Sequence, residues 1–176
     1  VDLAAELLTN VAVRVVTVVN FPHGDMPTDQ VLSQIDTVVA DGVDEIDYVM
    51  DVAAALRGDW ETVEYGISAV VARAHENDKV LKVILETCLL DDMQITRACQ
   101  VAQDCQADYV KTSTGFSTGG ATVDVVRLMR SVVGESMGIK ASGGIRYRES
   151  ALALVSAGAD RIGTSSALKI IGAMKE

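Results

Sequence analysis

Basic residues are scarce in this chain. Its 176 residues carry 15 Lys and Arg against 25 Asp and Glu, a net charge of −10. Neutralising nucleic-acid phosphates requires clustered cations, so this balance excludes a nucleic-acid binder. The acidity is spread over predicted helix surfaces and reads as a device for solubility. No apolar run approaches the ~20 residues needed to cross a bilayer, and no signal peptide opens the sequence, so neither a membrane partner nor export is expected. Cysteine is limited to Cys88, Cys99 and Cys105. That odd number fits no zinc-type spacing and reads as free thiols in a reducing cytoplasm. Proline occurs twice, and linkers and low-complexity tracts are lacking. What is present, 49% apolar residues and 14 glycines, suits one domain over residues 1–176 with a substantial core.

Short β-rich runs alternate with longer amphipathic ones. Strands are predicted at 13–19, 45–50, 81–86, 109–114, 138–142 and 161–164. Helices are predicted at 28–40, 60–76, 91–103, 123–132, 147–156 and 165–174, and the opening residues read as a helix already under way. Pro27-Thr28 and Asp91-Asp92 are helix starts, and Gly42 and Gly158 lie just past helix ends. Such alternation predicts a parallel sheet with right-handed crossovers. Polar residues recur towards the strand ends: Asn20, Asp47, Glu86, Lys111 with Ser113, Lys140 with Ser142, and Thr164 with Ser165. An open sheet would gather them at one switch point, whereas a (β/α)₈ TIM barrel draws catalytic groups from many strand ends. The barrel is therefore expected, with about six βα units in this chain where a closed barrel has eight. The first two units are the ones expected to be missing, and an open-edged remnant invites pairing with another copy, a homo-oligomer.

Two lysines stand out. Lys111 and Lys140 each sit in a segment that reads as a buried strand, where loss of hydration normally excludes a lysine. On successive strands they would repel each other, so at least one is expected to lose its proton readily. A neutral amine is what imine chemistry requires. One such lysine alone would read as salt-bridged or snorkelling; two, each followed by a Ser/Gly-rich loop, point to Schiff-base catalysis. Lys82 shares the parity of Ile84 and Glu86 and is expected to face the barrel interior. There it either joins the Asp47–Lys140 network or balances Glu86.

The loops after the last two strands carry Ser142-Gly143-Gly144-Ile145-Arg146 and Gly163-Thr164-Ser165-Ser166. Glycines let backbone N–H groups approach an anion, and barrels bind phosphate on these loops. Gly115, beyond the Lys111 strand, could add a donor.

Six segments in order carry a family resemblance. They are Val18-Val19-Asn20-Phe21-Pro22-His23-Gly24, Asp44-Glu45-Ile46-Asp47-Tyr48-Val49-Met50, Leu81-Lys82-Val83-Ile84-Leu85-Glu86-Thr87, Val110-Lys111-Thr112-Ser113-Thr114-Gly115-Phe116, Lys140-Ala141-Ser142-Gly143-Gly144-Ile145-Arg146, and Arg161-Ile162-Gly163-Thr164-Ser165-Ser166. Together the chain resembles the class I deoxyribose-phosphate aldolases, beginning partway into the family's barrel. The part before it would hold the first two strands and the family's Asp-His-Thr segment.

The resemblance implies reversible cleavage of 2-deoxy-D-ribose 5-phosphate to D-glyceraldehyde 3-phosphate and acetaldehyde. It makes Lys111 the Schiff-base lysine, Lys140 the lysine that perturbs it, Asp47 the proton-relay carboxylate and Lys82 a support. The phosphate would rest on Gly115, Gly143, Gly144, Arg146, Gly163, Ser165 and Ser166. The partners implied are a sugar phosphate and an aldehyde. No metal or other cofactor is called for, since the imine is the electron sink. Two rivals remain at this point: another class I aldolase, and a truncated, inactive barrel serving as a phosphate-binding or assembly module. His23 reads as a loop residue and Trp60 as packing. Asp51-Val52-Ala53 departs from the family's usual Asn-Ile-Gly, which predicts altered loop geometry beyond Asp47.

Overall fold

Six parallel strands lie side by side in chain order in a computed structural model that describes residues 1–9 and 11–172. They are β1 (Val16–Val19), β2 (Glu45–Val49), β3 (Val80–Ile84), β4 (Tyr109–Lys111), β5 (Gly138–Ser142) and β6 (Arg161–Gly163). The helices are α1 (Asp2–Leu7), α2 (Thr28–Ala40), α3 (Val52–Arg57), α4 (Trp60–His75), α5 (Asp92–Asp104), α6 (Val123–Val133), α7 (Arg148–Ser156) and α8 (Ala167–Ile170).

Alternation along each strand splits the sheet into two faces. Ile46 and Tyr48, Leu81 and Val83, Val110, and Ile139 and Ala141 are buried in the apolar core with the helices. Glu45, Asp47, Lys82, Lys111 and Lys140 take the opposite parity. The sheet curls so far that Glu45 on β2 meets Arg161 on β6, two strands that are not sheet neighbours. Lys140 on β5 likewise reaches Asp47 on β2. The expected six-unit portion of a barrel is thus what the chain forms: a curved parallel wall with a seam between β6 and β1. At the seam Val16 and Val18 share the inward parity of their register partners Glu45 and Asp47 but are 41% and 40% exposed.

Local chemistry explains most boundaries. Asp91 and Gln94 close a capping box at the start of α5, and Thr122 caps α6. The six residues of α3 were not foreseen, being too few to show a helical period. Asp51 starts this helix by accepting from Ala54 N at 2.7 Å, and Gly58 ends it in the left-handed conformation. The departure noted beyond Asp47 therefore builds a capped helical turn. The strand predicted at 109–114 stops at Lys111, because Thr114 is drawn aside to Glu86. Of the predicted last helix, α8 forms four residues; positions 173–174 lie outside the described residues.

Candidate active site

Register brings the charged residues together. Asp47 is paired with Lys82 on β3, and Lys111 with Lys140 on β5. The Asp47 carboxylate is 2% exposed. Its Oδ1 accepts from Lys82 Nζ at 2.9 Å, and its Oδ2 accepts from both Lys111 Nζ (2.8 Å) and Lys140 Nζ (2.7 Å). Burial alone would raise the Asp47 carboxyl, but the Lys111, Lys82 and Lys140 ammoniums outweigh it and pull it down to about 2. Lys140 responds the other way. Burial depresses its proton affinity, the charges of Lys111 and Lys82 depress it further, and Asp47 restores only part. Asp47 thus supports the Lys140 charge, while the desolvation of Lys140 works against it.

Lys82 is fully buried and settles its two alternatives by bridging Asp47 and Glu45 Oε2, the latter at 2.7 Å. Glu86 is engaged elsewhere. Sequence reading missed Glu45 and Arg161 as members of this network. Glu45 was legible, since it stands two residues before Asp47 on the same strand face. Its carboxyl is lowered: burial would raise it, but hydrogen bonds from Arg161 and Lys82 prevail. Arg161 also lies over the Tyr109 ring, 4.7 Å from its centroid. Fully protonated, the cluster sets Lys82, Lys111, Lys140 and Arg161 against two carboxylates. Lys82 and Lys111 are buried and Lys140 and Arg161 partly so. A poorly hydrated surplus of positive charge is costly, so the site favours either release of a lysine proton or the arrival of an anion.

Beside the lysines lies a cavity of about 460 Å³. Lys111, Lys140, Gly115, Gly143, Gly144, Arg146, Gly163 and Ser165 all line it. Of the residues expected to hold phosphate, Ser166 alone is absent from the lining, its N–H being taken by Thr164 Oγ1 at 2.9 Å. The N–H groups of Gly115, Gly143, Gly144 and Ser165 have no acceptor among the described residues. Free amides beside cationic side chains form an anion-binding concavity. His23 borders a second cavity instead, together with Glu86 and Phe116. Among the described residues no group of three or more His, Cys, Asp or Glu side chains is placed to hold a metal ion.

Gly163 is constrained by this packing. A Cβ there would come within 2.9 Å of Ser142 Cβ and 3.2 Å of Lys140 Cε. Gly163→Ala is expected to displace Lys140 from Asp47 and to destabilise the fold by about 1–3 kcal/mol. Urea unfolding beside an activity assay checks this, and a variant of unchanged stability and rate would refute it.

Residues 3–172 match the DeoC/LacD family of aldolases. The deoxyribose-phosphate aldolase of Thermococcus gammatolerans is 49% identical over 173 residues, which are 97% of this chain and 77% of that protein. The Brevibacillus brevis deoxyribose-phosphate aldolase is 48% identical, over 99% of this chain and 78% of its own length. Among solved structures, the tetrameric deoxyribose phosphate aldolase of Aeropyrum pernix superposes with a TM-score of 0.89 at 36% identity. That match covers 98% of this chain and 72% of the other.

Proposed function

Because the chain belongs to the DeoC/LacD family of aldolases, we propose that it cleaves 2-deoxy-D-ribose 5-phosphate reversibly, through an imine on Lys111. The observation that carries this reading is the sharing of Asp47 Oδ2 by the Lys111 and Lys140 amines beside a cavity rimmed with free amides.

In the cleavage direction, neutral Lys111 Nζ adds to the C1 aldehyde. Loss of water from the carbinolamine gives a protonated imine. A proton then leaves the C3 hydroxyl, the C2–C3 bond breaks towards the imine, and glyceraldehyde 3-phosphate departs. The remaining enamine takes a proton at C2, and hydrolysis releases acetaldehyde and free lysine.

The two neighbours divide the remaining work. Asp47, accepting from all three lysines, is their common counter-charge and holds the Lys111 and Lys140 amines together for the proton relay. Lys140, with its weakened hold on a proton, is the better donor and acceptor for the carbinolamine and enamine steps. The 5-phosphate takes the amides of Gly115, Gly143, Gly144 and Ser165, with Arg146 at the rim, and offsets the surplus cationic charge.

Apolar side chains are exposed near both sheet edges, Leu3, Leu7 and Val13 near β1 and Leu152 and Val155 near β6. They suit self-association, and the A. pernix relative is a tetramer. Free Cys99 and Cys105, whose thiols burial pushes up to about 12 and about 11, suit a cytoplasmic enzyme.

The test is a cleavage assay with 2-deoxyribose 5-phosphate and unphosphorylated 2-deoxyribose. Release of glyceraldehyde 3-phosphate, with kcat/KM at least about 100-fold higher for the phosphorylated sugar, is the expected result. No cleavage of either, or equal efficiency on both, would overturn the assignment.

A further inference from the structure

Glu86 is a buried carboxylate without a cation. It is 4% exposed, and among the described residues no Lys, Arg or His lies within ion-pair distance of it. Such a group needs hydrogen-bond donors, and it takes them from the loop that follows Lys111. Thr114 N donates at 3.3 Å to Oε1 and 3.4 Å to Oε2, and Thr114 Oγ1 donates to Oε2. The Cys88 thiol lies 3.9 Å from Oε1.

The same hydroxyl then acts as an acceptor, receiving Phe116 N–H at 3.1 Å. Between these two engaged amides sits Gly115, in the left-handed region at φ +88 and with its N–H free. The residues flanking Glu86 fix the other end. Leu85 N donates to Lys111 O and Thr87 N to Thr112 O, each at 2.9 Å. Glu86 itself adopts φ +55, an unusual backbone conformation for a side chain of its size, which a bound carboxylate can hold in place.

We infer that Glu86 is a positioning residue. Through Thr114 it sets the turn at Gly115, so that the free amide there faces the phosphate cavity in register with the lysines. The inference rests on the phosphate reading of that cavity, and it makes a distinctive claim about sign. A carboxylate near an anion site acts by charge alone to weaken anion binding, so its removal should tighten it. A carboxylate that shapes the site does the reverse.

The probe is inorganic phosphate, titrated into the full chain and followed by calorimetry. Glu86→Ala is expected to weaken phosphate binding by roughly tenfold, because Thr114 loses its acceptors. Glu86→Gln, which keeps one acceptor oxygen while removing the charge, is expected to stay within about threefold of the parent. Thr114→Val removes the hydroxyl that joins Glu86 to the Phe116 amide and is expected to weaken binding in the same direction, which keeps the test decisive if Glu86→Ala does not fold. Equal or tighter binding in Thr114→Val, or in folded Glu86→Ala, overturns the positioning role alone. Absence of phosphate binding by the parent chain overturns the phosphate reading itself.

Discussion

Lys111→Ala is expected to lose covalent capture altogether and to slow cleavage by about 10⁴-fold or more, the scale reached when a covalent nucleophile is removed. The parent chain, mixed with acetaldehyde and borohydride, should retain one ethyl group, and peptide mapping should find it on Lys111. The competing nucleophile is Lys140, which meets the same Asp47 oxygen and lines the same cavity. The two assignments separate cleanly. If Lys140 were the nucleophile, the adduct would persist in Lys111→Ala and vanish in Lys140→Ala. If Lys140 is the proton carrier, Lys140→Ala should still be captured, more slowly, with a changed pH profile. An adduct that survives Lys111→Ala on folded protein sinks the assignment.

Asp47→Asn is expected to have the largest effect on stability, about 3–5 kcal/mol, because the buried Lys82 and Lys111 and the partly buried Lys140 lose their common counter-charge. Chemical denaturation measures it. The loss should shrink as pH rises, since a lysine relieves the repulsion by giving up its proton, and Lys140 is already disposed to do so.

The parent chain has the complementary acid response. The Asp47 carboxyl is depressed in the folded state, to about 2 from an ordinary 3.8. Its stabilising contribution is therefore present in full above the unfolded value and lost as pH falls from about 4 to about 2. That contribution is on the order of 2 kcal/mol, and it should be missing from the acid unfolding curve of Asp47→Asn. Identical acid curves for the two proteins would show that Asp47 does not anchor the lysines.

Much of this architecture is written locally in the chain. Strand–helix alternation and the two lysine-bearing segments are enough to place β4, β5 and the glycine loops, because each depends on neighbouring residues. Glu45 was within reach by the same means, since parity with Asp47 puts it on the inward face. Arg161 was not. Its partner lies across the curved wall, and only the curl of the sheet brings them together. The Glu86–Thr114 clamp was hidden for another reason: an extended pattern at 81–86 gives no sign that Glu86 leaves the strand through a left-handed backbone. Ser166 looked like a phosphate ligand by sequence neighbourhood, but its amide is spent within its own turn.

The ion pair between Glu45 and Arg161 spans 116 residues, farther than any neighbouring pair of strands in the sheet. During synthesis the chain emerges in sheet order, so β1 to β5 can assemble one after another as they appear. Asp47, Lys111 and Lys140 are then all present, yet Glu45 has only Lys82 to meet until β6 arrives. The same late strand brings Gly163 and the Ser165 amide. Docking of β6 thus adds Gly163 and the Ser165 amide to a cavity whose lysines and whose free amides at Gly115, Gly143 and Gly144 are already in place, and through Arg161 it closes the charge network around Glu45.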